Sequence, residues 1–266
     1  MQTRRCTESA RALLGMCSLA IVFCAGCVEL PVAAKNTLNE ARTSYERGDY
    51  SAANRKLDQL IRDYPTYTQT AEAYYLRALC HTARSNMGRA GEDAKQCIAK
   101  SSDPTLTAKA HAMAGAILFD QGNADAAAGH YRKALRNLPK ESQNDLVYYR
   151  YGICLQRLGR WKEAKVQFAT ILKQYRGSSL AEHAQRLHDW SHPYFAIQCG
   201  AFRDRHRAAK LARELGRSRI NATVEGRITA GETLHSVLAG RYTTYEEARR
   251  ALPTIRRRVD GAMIVP

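Results

Sequence analysis

The sequence predicts an all-α superhelix of stacked helical hairpins followed by a small α+β sandwich of the split-βαβ type. Two internal repetitions carry that prediction. Through the middle of the chain small residues recur every 37 positions: Ala53, Ala90, Ala127 and Ala164 form one set, and Ala41, Ala78, Gly115 and Gly152 another. Near the C-terminus, Phe195-Ala-Ile-Gln-Cys-Gly200-Ala-Phe202 is echoed 40 positions later by His235-Ser-Val-Leu-Ala-Gly240-Arg-Tyr242. Length and composition agree with two folded units. A chain of 266 residues has room for about two domains, and 45% hydrophobic with 25% charged residues excludes a disordered polymer.

The 37-residue period reads as one helical hairpin per repeat. Gly48, Ser85, Gly122 and Gly159 fall where the chain must break between two helices, and Leu60, Cys97, Ala134 and Ile171 mark a further apolar set. Small residues let paired helices cross closely, and a larger side chain such as Tyr131 or Phe168 fills the next gap. Helices this short are marginal alone, so several repeats must stack to bury their apolar faces. The third copy, Gly115…Gly122-Asn-Ala…Ala127…Tyr131…Ala134…Pro139, and the fourth, Gly152…Gly159-Arg-Trp161…Ala164…Phe168, closely resemble tetratricopeptide repeats. The resemblance covers 34–190: four repeats and a capping helix from about Ser179 to Trp190. The second copy departs from the pattern, with Ala94 where the aromatic residue belongs. The resemblance implies a protein partner held in the concave groove, where Arg42, Tyr75, Tyr149 and Arg157 would lie. It is also similar in style to the arrays of envelope lipoproteins and cell-division coordinators.

In the tail, each copy alternates at period two, turns at a glycine and an aromatic residue, and then shifts to helical spacing. Ala208, Leu211 and Leu215 mark the first helix, and Ala248, Leu252 and Ile255 the second. Further strands follow at Ala222-Thr-Val-Glu-Gly-Arg227 and Ala262-Met-Ile-Val265. The order is β-α-β-β-α-β, four antiparallel strands with both helices on one face. Alternation places Phe195, Ile197, Cys199, Val237 and Ala239 toward the helices. Ala196, Gln198, Leu234, Ser236, Leu238 and Ile264 are expected on the open face, with Cys199 opposite Met263.

Tyr194-Phe-Ala-Ile-Gln198-Cys-Gly200-Ala-Phe202 and Val237-Leu-Ala-Gly240-Arg-Tyr-Thr-Thr-Tyr-Glu-Glu-Ala248 resemble the SPOR (sporulation-related) domain over 193–266. The resemblance implies an RNP-like sandwich that binds peptidoglycan glycan strands, with preference for septal stretches stripped of stem peptides. The six open-face residues become the expected glycan contacts. Gln198 offers an amide donor and acceptor to sugar hydroxyl and acetamido groups, and Leu234 and Ile264 offer apolar area. Two departures stand out: Ala201 where some members carry Ser, and Leu234 and Ser236 where many carry an aromatic residue or Arg.

The N-terminus sets the compartment. Arg4, Arg5 and Arg11 precede a run of 14 apolar or weakly polar residues from Ala12 to Ala25, shorter than the about 20 needed to span a bilayer. This is the pattern of an export signal. Ala25-Gly26-Cys27 resembles the lipobox of bacterial lipoproteins, which implies a signal peptide over 1–27, lipidation of Cys27 and a membrane anchor, in the outer membrane by expectation. The small residues Val32-Ala33-Ala34 offer an alternative cleavage site.

Formal net charge is +16, which suits a polyanionic partner such as a wall. A basic βαββαβ sheet is also an RNA-recognition scaffold, but the outward positions lack the aromatic residues that stack bases, and an export signal argues against nucleic acid. No paired carboxylates, Ser/His/Asp grouping or zinc spacing stands out, so no catalytic residue, metal or cofactor is expected. Cys80, Cys97, Cys154 and Cys199 read as buried thiols, with a Cys80–Cys97 disulfide as the alternative. The whole reads as a non-catalytic, exported wall-binding protein of cell division or wall remodelling. The alternative is an envelope scaffold whose tail binds another protein or an anionic ligand.

Overall fold

The computed structural model describes residues 30–140, 144–229 and 232–266. The signal segment, Cys27 and the cysteines before it lie outside the described residues. Eight helices pair into four hairpins: Val32–Glu46 (α1) with Tyr50–Asp63 (α2), Thr70–Ala83 (α3) with Met87–Lys100 (α4), Pro104–Asp120 (α5) with Ala124–Ala134 (α6), and Asp145–Arg157 (α7) with Trp161–Gln174 (α8). A ninth, Ala181–His188 (α9), packs on the last hairpin. None of these helices is long and apolar enough to cross a membrane.

Each period-37 position has a physical reason. Between paired helices the chain enters the left-handed region at Gly48, Ser85, Gly122 and Gly159, with φ of 80°, 58°, 78° and 75°. Glycine meets that demand without a Cβ penalty, and Ser85 costs about 1–2 kcal/mol. The next residue caps the second helix. Asp49, Asn86 and Asn123 each accept a backbone N–H of the first turn, at 2.8, 3.4 and 3.2 Å, a device worth about 1 kcal/mol. The fourth copy has Arg160, which instead forms a two-pronged bridge to Glu163 at 2.8 and 2.7 Å.

Side-chain size is balanced across each hairpin. A Cβ on Gly115 would stand 2.9 Å from the Tyr131 ring, and one on Gly152 only 2.5 Å from Phe168. Where the small residue is Ala41 or Ala78, the partner position holds Leu57 or Ala94, and all four are fully buried. The second copy therefore departs from the pattern by shrinking a residue, and its helices still pack.

The four described cysteines are free and buried. Cys80 and Cys97 sit in separate core clusters, so the disulfide alternative is not realised. Burial pushes the Cys80 thiol up to about 11 and Cys97 to about 12, which leaves them unreactive.

The tail folds as Phe195–Phe202 (β1), Arg205–Arg217 (α10), Ala222–Thr229 (β2), Glu232–Tyr242 (β3), Tyr245–Arg256 (α11) and Met263–Val265 (β4). The strands form one antiparallel sheet in the order β2-β3-β1-β4. Ile197, Cys199, Val237 and Ala239 meet Ala208 and Leu215 of α10 and Ile255 of α11 in one buried core.

The glycine and aromatic residue of each copy do not make a turn, contrary to the sequence expectation. Both strands run on through Phe202 and Tyr242. A Cβ on Gly200 would lie 2.8 Å from the Phe202 ring, and one on Gly240 2.5 Å from Tyr242. Glycine is required because the ring two residues on folds back over it. Each helix then starts at a side-chain cap: Asp204 accepts from His206 N–H at 2.7 Å, and Thr244 with Glu247 forms a capping box.

Candidate functional site

Register fixes what each face of the sheet presents. Gln198 pairs with Leu238 and Met263, and Leu238 with Thr223. Ala201 pairs with Ser236, and Ser236 with Glu225. These rows lie away from the helices, because their neighbours Ile197, Cys199 and Val237 fill the helix-side core.

Two expectations need correction here. Ile264 pairs with Ile197 and packs against the helix-side core, so it does not belong to the open face. Met263 takes that place, opposite Gln198 rather than Cys199, and is 53% exposed. The reading failed by one residue because β4 has only three, too few for alternation to fix a register. Phe195 also leaves the inner core. A register shift separates it from Ile197, and its ring packs on Trp161 at 4.7 Å and Tyr245 at 5.8 Å.

The open face is only partly open. Ala196 (0% exposed), Leu238 (4%) and Ser236 (6%) are buried, although no helix of the tail covers them. Their cover is the segment that joins the two regions. Trp190, 2% exposed, lies in one buried cluster with Ala196 and Leu238, and its indole N–H donates to the Tyr194 carbonyl at 3.0 Å. His192 packs edge-on to Trp190 at 5.3 Å and stacks on Tyr194 at 4.8 Å. Its Nε2 reaches Glu225 of β2 at 2.9 Å. Residues 190–194 therefore form a strap across half of the face. Of the expected contacts, Gln198 and Leu234 remain partly accessible, together with Met263, Ala201 and Thr223.

Sequence reasoning missed the strap because it carried the capping helix on to about Trp190. Helix α9 ends at His188, which pairs with Asp189 at 3.0 Å. The signal that could have shown it is Trp190-x-His192-x-Tyr194, aromatic or imidazole side chains at period two just upstream of β1. Among the described residues no group of three or more His, Cys, Asp or Glu is placed to hold a metal ion.

The expected groove residues fall in different settings. Arg42 is exposed and donates to Glu72 of α3 and to Asn39. Tyr75 is half-buried against Ala71, Cys97 and Ala110, and Tyr149 is half-buried 6.1 Å from Phe168. Arg157 is a correction. Its guanidinium lies between Phe119 at 5.2 Å and Tyr245 of α11 at 4.9 Å, so it ties the helical array to the tail instead of lining a free groove. Gly159 adds to that joint, since a Cβ there would meet the Thr243 carbonyl at 3.3 Å.

Comparison with known proteins names the two regions. Residues 191–266 match the SPOR domain, and residues 38–104 and 118–187 each match a tetratricopeptide repeat family. The chain thus carries tetratricopeptide repeats over 38–187 and a C-terminal SPOR domain. Such repeats are protein-interaction modules, the SPOR family is a peptidoglycan-binding one of the cell envelope, and both are typically non-catalytic. A tetratricopeptide repeat protein from Parabacteroides merdae ATCC 43184 is 12% identical, with a TM-score of 0.50 over 70% of this chain and 65% of its own, which shows the fold alone. YrrB, described as a TPR protein with an unusual peptide-binding site, is 18% identical, with a TM-score of 0.49 over 59% of this chain and 79% of its own. No curated protein sequence matches significantly.

Proposed function

We propose that this protein is a non-catalytic wall-binding adaptor of the cell envelope. The SPOR sheet takes glycan strands of peptidoglycan along the strip of Gln198, Ala201, Leu234 and Met263. The buried Ala196, Ser236 and Leu238 support that strip from within the sheet. The repeats hold a protein partner in the groove that Arg42, Tyr75 and Tyr149 border, and Cys27 carries the lipid that anchors the chain to a membrane, the outer one in this reading. Stretches stripped of stem peptides are the preferred ligand, which directs the protein to the division septum and to wall remodelling.

One observation carries this reading. Gln198 is half-buried in the middle of the sheet, beside the exposed Met263. A sugar ring needs that combination of an apolar surface and a two-way hydrogen-bonding group. The net charge of +16 further supports a polyanionic wall as the partner.

The test is co-sedimentation of the full chain with intact and with amidase-stripped sacculi. The expected result is preferential pelleting with stripped sacculi, and Gln198→Ala weakening it about tenfold with unchanged thermal unfolding. Equal or absent pelleting with both preparations contradicts the proposal, and a normal binding curve for Gln198→Ala moves the site off this strip.

A further inference from the structure

The open face carries one cation whose setting the glycan reading does not use. Gly240 and Tyr242 share the helix side of β3, because the Tyr242 ring lies across Gly240 and joins the core around Ile197. A register shift at Gly240, where φ is 72°, reverses the alternation set by Val237 and Ala239, so Arg241, between Gly240 and Tyr242, projects to the opposite side. There its guanidinium sits over the Tyr194 ring at 5.3 Å, at the end of a ladder that runs Trp190, His192, Tyr194, Arg241.

Two other charged side chains by this face, Arg203 and Glu225, are engaged. Arg203 is paired with Glu232 at 2.8–3.0 Å, and Glu225 with His192 at 2.9 Å. Arg241 is exposed and has no carboxylate partner among the described residues. Arg241 stands three residues along β3 from Leu238, which pairs with Gln198. The register shift there sets Gly240 and Arg241 opposite Ala196, two residues along β1 from Gln198, so the Arg241 and Gln198 side chains are about 7 Å apart along the strands.

The chemistry of the ligand supplies the complement. In an intact strand each muramic acid's lactyl group ends in an amide to the stem peptide and carries no charge there. Amidase hydrolysis of that amide releases the peptide's amino group and leaves a lactyl carboxylate on every second sugar. We propose that Arg241 binds this carboxylate and so tells stripped from peptide-bearing strands, while Gln198 recognises the sugar common to both. The proposal rests on the glycan reading above. A planar guanidinium steadied by an aromatic ring suits a carboxylate, which it engages through two parallel hydrogen bonds.

The experiment measures binding of the full chain to three wall preparations: intact sacculi, amidase-stripped sacculi, and stripped sacculi whose carboxylates are converted to neutral methylamides. The unaltered protein is expected to bind stripped sacculi about tenfold more tightly than methylamidated ones. Arg241→Gln should abolish that difference and Arg241→Lys keep part of it. Gln198→Ala should weaken binding to both preparations and preserve the ratio. If the unaltered protein binds the stripped and methylamidated forms equally, or if Arg241→Gln keeps the full preference, Arg241 is not the reader, although the glycan site stands. If the unaltered protein binds none of the three, the glycan reading falls and this proposal with it.

Discussion

The two faces of the SPOR sheet are closed by different parts of the chain, and the difference separates folding from binding. One face is sealed by the module's own helices, with Ile197, Val237 and Ala239 fully buried against α10 and α11. The other is half sealed by a strap from outside the sheet, with Trp190 over Ala196 and Leu238 and His192 tied to Glu225. The first closure makes the domain. The second leaves a strip with Gln198 at its centre and ties the sheet to the helical array, alongside the Arg157–Tyr245 and Trp161–Phe195 contacts.

Removing the strap's anchor should break the contrast most strongly. Trp190→Ala deletes a fully buried indole, and a loss of about 3–5 kcal/mol in denaturant unfolding is expected. The helix-side face gives the next largest effect. Gly240→Ala forces a Cβ into the Tyr242 ring at a φ of 72°, so a cost of about 2–4 kcal/mol is expected. Gly200→Ala meets a similar ring clash without the positive φ and should cost about 1 kcal/mol less. Comparing the two melts separates overpacking from backbone strain. Glu225→Gln loosens only the rim of the strap, and a partly exposed pair of this kind should contribute less than about 1 kcal/mol.

A pH titration sharpens the contrast between array and sheet. Burial, with His130 and Lys133 nearby, holds His111 down at about 4, and its Nδ1 lies 3.1 Å from that of His130. A histidine kept neutral in the fold stabilises it above 6.5, and that contribution is lost as pH falls from 6.5 toward 4, because only the unfolded chain takes up the proton. The melting temperature should therefore fall across that window, and His111→Asn should flatten the fall.

Much of this organisation is legible in the residues. Gly48, Ser85, Gly122 and Gly159 announce the hairpin breaks because their left-handed backbone admits few side chains. Ile197 and Val237 announce the helix-side core through strict alternation. What alternation cannot reveal is the identity of a cover. It places Ala196 and Leu238 on the outer side but says nothing of Trp190, which arrives from a different element. Nor does it resolve β4, where three residues cannot distinguish Ile264 from Met263. Arg157 looked like a groove residue because a helix face alone does not show that Tyr245, 88 positions later, stacks on it.

The most direct measurement is a nuclear magnetic resonance titration of the full chain with soluble, peptide-free glycan oligosaccharides. The Gln198 side-chain amide and the Met263 methyl signals should shift in proportion to bound ligand, while the Leu238 methyls and the Trp190 indole N–H stay in place under the strap. Shifts confined to α10 and α11, or a Gln198 amide that never moves, would contradict a glycan site on this strip.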